Sequence, residues 1–101
     1  MDNATKEWTL PQLVQLYGGL GKLARDAGGT YSTWRRVVLG EHDELPLRRL
    51  QRMQGLCGWR HVPDAPCALT EWARLWRQAR RAHLAGLEER KQRQAGARGR
   101  R

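Results

Sequence analysis

Glycine and proline punctuation constrains this chain more than any other feature. Gly18-Gly19, Gly28-Gly29, Gly40 and Pro46 cut its first half into short segments, each with apolar residues at helical spacing. None of the segments shows the β-branched alternation that a strand needs. The expected class is all α: a compact domain of four to five helices, the last of them long and basic.

The segment limits follow from cap chemistry. A first helix is expected over about Leu10 to Tyr17, with Thr9 as N-cap, Pro11 in the first turn, and Leu10, Leu13, Val14 and Tyr17 on one face. A second, about Leu20 to Ala27, turns Leu20, Leu23, Ala24 and Ala27 inward and Lys22, Arg25 and Asp26 outward before Gly28 ends it. Thr30 caps a third helix through about Leu39, closed by Gly40. Pro46 opens a fourth, ending near Cys57, with Leu47, Leu50, Met53 and Cys57 as its inward side. After the turn-rich GWRHVPDAP, Thr70 caps a final helix that continues into the low 90s.

Charge points to the kind of partner. The 101 residues hold 19 Lys and Arg against 10 Asp and Glu, a net charge of +9 that favours an anionic partner. The surplus is uneven: residues 1–69 carry nine basic and seven acidic side chains, and residues 70–101 carry ten and three. No apolar run approaches the roughly 20 residues that span a bilayer. The start MDNATKEW lacks the basic flank and apolar stretch of a secretory signal. A cytoplasmic, nucleoid-associated protein with reduced thiols is expected, without a membrane partner.

The stretch YGGLGKLA at 17–24 invites reading as a phosphate loop, but its spacing fails. Such a loop needs G-x-x-x-x-G-K-[ST] after a strand. Here Leu16 stands five before Gly21, Leu23 follows Lys22, and a helix precedes the segment. A bend between helices is the better reading. The longer stretch LGKLARDAGGTYSTWRRVVLGE resembles the helix-turn-helix of the Cro/phage-repressor (Xre-like) family. Ala24 stands at the small position where the two helices approach, Gly28 at the tight turn, and Thr30 at the cap of the recognition helix. Trp34 and Val37 stand at the apolar positions that pin that helix to the core. Two residues depart from the pattern: Gly29 replaces a branched aliphatic, and Trp34 is bulkier than the usual Ile or Val, so the indole is expected to fill the space beside Gly29.

Helical geometry makes the same division without the resemblance. At about 100° per residue, Ser32, Arg35, Arg36 and Leu39 fall in one sector and Trp34, Val37 and Val38 in the opposite one. On the helix-turn-helix resemblance, the expected base-reading residues are Tyr31, Ser32, Thr33, Arg35, Arg36 and Leu39, and the expected phosphate contacts are Lys22, Arg25 and Thr30. The family resemblance implies double-stranded DNA as partner and a homodimer on paired half-sites. On this reading residues 1–58 form the DNA-binding domain, 59–69 a connecting loop, 70–93 an amphipathic helix and 94–101 a basic disordered tail.

The final helix admits several roles. Trp72, Leu75, Trp76, Ala79, Ala82, His83 and Gly86 line one side, and Arg74, Arg77 and Arg81 the other. The apolar side suits core completion, a dimer seam through Trp72, Leu75, Trp76, Ala79 and His83, or an interfacial helix on a membrane surface. A protein partner docked on this helix, as in an antitoxin, is a further alternative. So is an architectural or RNA-binding role carried by its arginines. Cys57, His61 and Cys67, with His42 or His83, lack the paired spacing of a metal site, and no motif marks a nucleophile, so neither cofactor nor enzyme activity is expected.

Overall fold

In a computed structural model, which describes residues 7–57, 62 and 64–99 and side chains only as far as residue 95, the described residues form five α-helices. They are α1 (Leu10–Tyr17), α2 (Leu20–Ala27), α3 (Tyr31–Val38), α4 (Leu47–Leu56) and α5 (Leu69–Gly99). The described residues contain no strand, and no helix among them is long and apolar enough to cross a membrane.

Local chemistry sets the ends of the short helices. Thr9 is extended (φ −117°, ψ 155°) and its hydroxyl accepts from the Gln12 backbone N–H at 3.3 Å. The Gln12 side chain accepts from the Thr9 N–H in return at 3.2 Å, so the cap is reciprocal. Thr30 repeats half of this device at α3, accepting from the Thr33 N–H at 3.2 Å. Both caps lie where the sequence places them, whereas Thr70, expected to cap the final helix, lies inside its first turn because α5 begins at Leu69.

The core fills from one side of each helix. Leu10, Leu13, Val14 and Tyr17 of α1 meet Leu23 and Ala24 of α2, Trp34, Val37 and Val38 of α3, and Leu50 and Met53 of α4, all buried. Leu47 departs from expectation. It opens α4 and is 46% exposed, because the inward stripe of that helix begins a turn later at Leu50.

The chain has no Phe, and tryptophan supplies the bulk. Trp34 and Trp72 are wholly buried, and each donates its indole N–H to a backbone carbonyl at 2.8 Å: Trp34 to Gly28 and Trp72 to Pro66. One indole staples the α2–α3 turn and the other the linker before α5.

The first turns of α5 complete this core, packing on α4, α1 and α3. Trp72, Ala73, Leu75 and Trp76 are buried within one chain, which takes Trp72, Leu75 and Trp76 out of the expected dimer seam. Their burial follows from the need for large apolar volume under four short helices. The helix then runs past the expected boundary at 93 to Gly99, so residues 94–99 are helical rather than disordered. That stretch of Gln, Ala and Arg with two glycines holds no proline to stop it. A radius of gyration of 16.0 Å, against about 13 Å for a compact 100-residue domain, reflects this projecting arm.

Candidate nucleic-acid interface

The candidate interface begins at the turn between α2 and α3. Ala27 ends α2, and Gly28, Gly29 and Thr30 link it to Tyr31. Gly29 has φ +100°, a left-handed conformation in which a side chain is strained, and an added Cβ would lie 2.9 Å from Arg49 Nη1 and 3.4 Å from Trp34 Nε1. The Trp34 indole thus lies beside Gly29, in the space a side chain there would take.

Gly40 sets the other end of α3. It is buried with φ +75°, and a Cβ there would come within 2.4 Å of the Ala79 carbonyl oxygen in α5. Arg80 Nη1 donates to the Gly40 carbonyl at 3.0 Å. Together the two contacts seat the end of α3 on the backbone of α5.

Between these anchors α3 is divided cleanly. Trp34, Val37 and Val38 are buried; Tyr31, Ser32, Arg35, Arg36 and Leu39 are exposed, Tyr31 by 54% and Leu39 by 37%. Five of the six expected base-reading residues share this outer side. Thr33 is the sixth and is only half-exposed, its backbone N–H and hydroxyl both engaged with Thr30 Oγ1. The outer side of α3 carries two arginines and no acid.

The expected phosphate contacts are distributed differently. Thr30 is exposed at the start of α3, and Arg25 is exposed near the end of α2. Lys22 is half-buried near the opposite end of α2, its ammonium 5.4 Å from the centre of the Tyr17 ring. The Tyr17 hydroxyl donates to the Asp26 carboxylate, tying α1 to α2.

Two basic residues of α4 escape sequence reasoning. Arg52 Nη1 donates to the Ala27 carbonyl at 2.9 Å, capping the end of α2, and the Arg49 guanidinium stacks 5.5 Å from the centre of the Trp34 ring. Both brace the turn and add positive charge beside the start of α3. The available signal was R-R-L-Q-R at 48–52, which marks a basic helical face without showing what that face adjoins.

The cysteines take no part in this arrangement. Cys57 is buried, and burial pushes its thiol up to about 11, which keeps it neutral and unreactive. Cys67 is a free, exposed thiol in the linker. Among the described residues no three His, Cys, Asp or Glu side chains gather as metal ligands, and His61 lies outside those residues. Arg100, Arg101 and the Arg98 side chain also lie outside them.

Comparison with known proteins finds no matching family model, no significantly similar curated protein and no significantly similar solved structure.

Proposed function

We propose that this chain is a sequence-specific DNA-binding regulator, a repressor acting as a dimer on a palindromic operator, with α3 in the major groove. The carrying observation is the two-sided character of α3. Its inner side is locked by Trp34 and Val37, and its outer side presents Tyr31, Ser32, Arg35, Arg36 and Leu39 on a short, braced helix. A rigid element of this kind suits direct readout, in which an arginine paired bidentately with guanine discriminates by about 1–3 kcal/mol.

The remaining basic residues fit backbone contacts. Arg25, Arg49 and Arg52, with the capped start of α3, supply positive charge and N–H donors for phosphates, which orient a protein without reading sequence. One of the five guanidinium donors of Arg52 already serves Ala27, leaving the group able to bridge fold and phosphate.

A second reading draws on α5. Arg90, Lys91 and Arg93 are exposed, with no acid after Glu89, which suits an architectural or RNA-binding protein that holds nucleic acid through its arm. An antitoxin-like docking role for α5 is compatible with either.

Replacing both Arg35 and Arg36 with alanine separates the two. Anisotropy titrations against DNA from upstream of the gene and scrambled DNA of equal length are expected to show a preference of roughly 10³-fold or more for the wild type. The double variant is expected to lose that preference while keeping its circular dichroism spectrum. Unchanged affinity in the double variant would move the function to α5.

A further inference from the structure

A groove of about 590 Å³ separates α5 from the start of α1 and the end of α3. Its floor is apolar, with Pro11, Val38, Leu39 and Ala82 among the lining residues, while Arg35, Arg90, Glu41 and Gln78 bring polar groups to it. We propose that the groove seats the α5 arm of a second copy of this chain, forming a symmetric dimer. The inference rests on the dimeric regulator proposed above and names the surface that makes the dimer.

Three observations identify the occupant. First, no residue of α5 from 80 to 95 is buried, yet Leu84 and Leu87 project from it at 46% and 39% exposure. The arm from 80 to 99 is about 30 Å long, enough to form a contact of the roughly 800 Å² per partner that a stable dimer needs.

Second, the arm matches the groove in charge. Leu84, Leu87, Glu88 and Lys91 follow the i, i+3, i+4, i+7 spacing of a single helical stripe. Leu84 suits the apolar floor, beside Leu87, which also lines the groove of its own chain. The Glu88 carboxylate suits Arg90, and the Lys91 ammonium suits Glu41. Glu88 and Glu89 are the only acids of α5 beyond Glu71, and Glu88 falls on this stripe.

Third, the α5 wall of the groove is built from small side chains. Ala79, Ala82 and Gly86 line the α5 wall and let a second helix approach closely. Because each copy carries both groove and stripe, one two-fold axis satisfies both sites at once.

The test is sedimentation equilibrium of the full chain without DNA, from about 1 to 100 µM. The wild type is expected to be dimeric, and Leu84→Arg with Glu88→Arg, both on the stripe and outside the groove lining, to raise the dissociation constant at least about 100-fold with helicity unchanged. Ala82→Trp, which fills the groove and leaves the stripe intact, is expected to do the same. Ala85→Arg, on the far side of the arm from Leu87, is expected to change little.

A monomeric wild type at 100 µM overturns the proposal, as does a dimer indifferent to both the stripe and the groove substitutions. DNA titration of the same samples separates this outcome from the function. A monomer that still prefers one DNA sequence removes the seat alone, and a dimer that binds all DNA equally removes the regulator reading alone.

Discussion

At the residue scale, single backbone positions and single polar atoms decide the geometry around α3. Gly40 shows why. Its left-handed φ and the α5 backbone 2.4 Å from any Cβ exclude a side chain on two separate grounds. Gly40→Ala is expected to lose about 3 kcal/mol, combining a left-handed penalty of about 1–2 with an overpacking cost of about 1–3. Urea denaturation followed by tryptophan fluorescence measures the loss. Cys57 gives a pH dependence of definite sign. The fold holds its thiol neutral to about 11, whereas the ordinary value is 9.0, so the folded state retains the proton more tightly than the unfolded chain. The resulting stability is fully present below about pH 9 and is lost as pH rises through about 11. Urea midpoints across that range are expected to fall more steeply for the wild type than for Cys57→Ala. An equal fall in both would remove the burial account.

At the scale of the element, α1 to α4 and α5 follow different rules. The short helices have limits written in their own residues: Thr9 and Thr30 as caps, the Gly18-Gly19 and Gly28-Gly29 pairs as breaks, and an apolar stripe every turn. Sequence reading places α1 and α2 at their observed limits because each signal acts within one turn of the residue that carries it. In α5 no comparable stop exists. Its C-terminal residues include Gly96 and Gly99, which as single glycines weaken the helix by about 1 kcal/mol each without ending it, and composition, which points to a disordered tail after 93, does not distinguish a solvated helix from coil. The arm also sets an electrostatic expectation. Removing residues 94–101 takes off the last six residues of the helix together with Arg98, Arg100 and Arg101. Affinity is expected to fall alike for operator and scrambled DNA, with a shallower dependence on salt. Affinity measured at several salt concentrations checks it, and a changed site preference would mean that the arm reads a groove.

At the scale of the whole molecule, the helices are less informative than the way they are fastened together. Trp34 ties α3 to the preceding turn, Arg52 ties α4 to the end of α2, and Arg80 ties α5 to the end of α3. Each fastening joins a side chain to a backbone carbonyl, from a neighbouring turn in the first case and from a distant helix in the other two. The outer side of α3 was legible because helical periodicity alone separates Arg35 and Arg36 from Trp34 and Val37. The supporting role of Arg49 and Arg52 was not, since their neighbours at the turn lie some 20 residues away in sequence.

The sequence by itself determined the helical class, the caps, the breaks and the two-sided pattern of α3, because these depend on local backbone preference and on a period of 3.6 residues. Only the tertiary structure decided which apolar side chains belong to the core of one chain. Trp72, Leu75 and Trp76 share a helical stripe with His83 and Gly86, and periodicity treats them alike. Packing separates them: the first turns of α5 lie over α1, α3 and α4 and are buried there, while in the later turns no residue from 80 to 95 is buried.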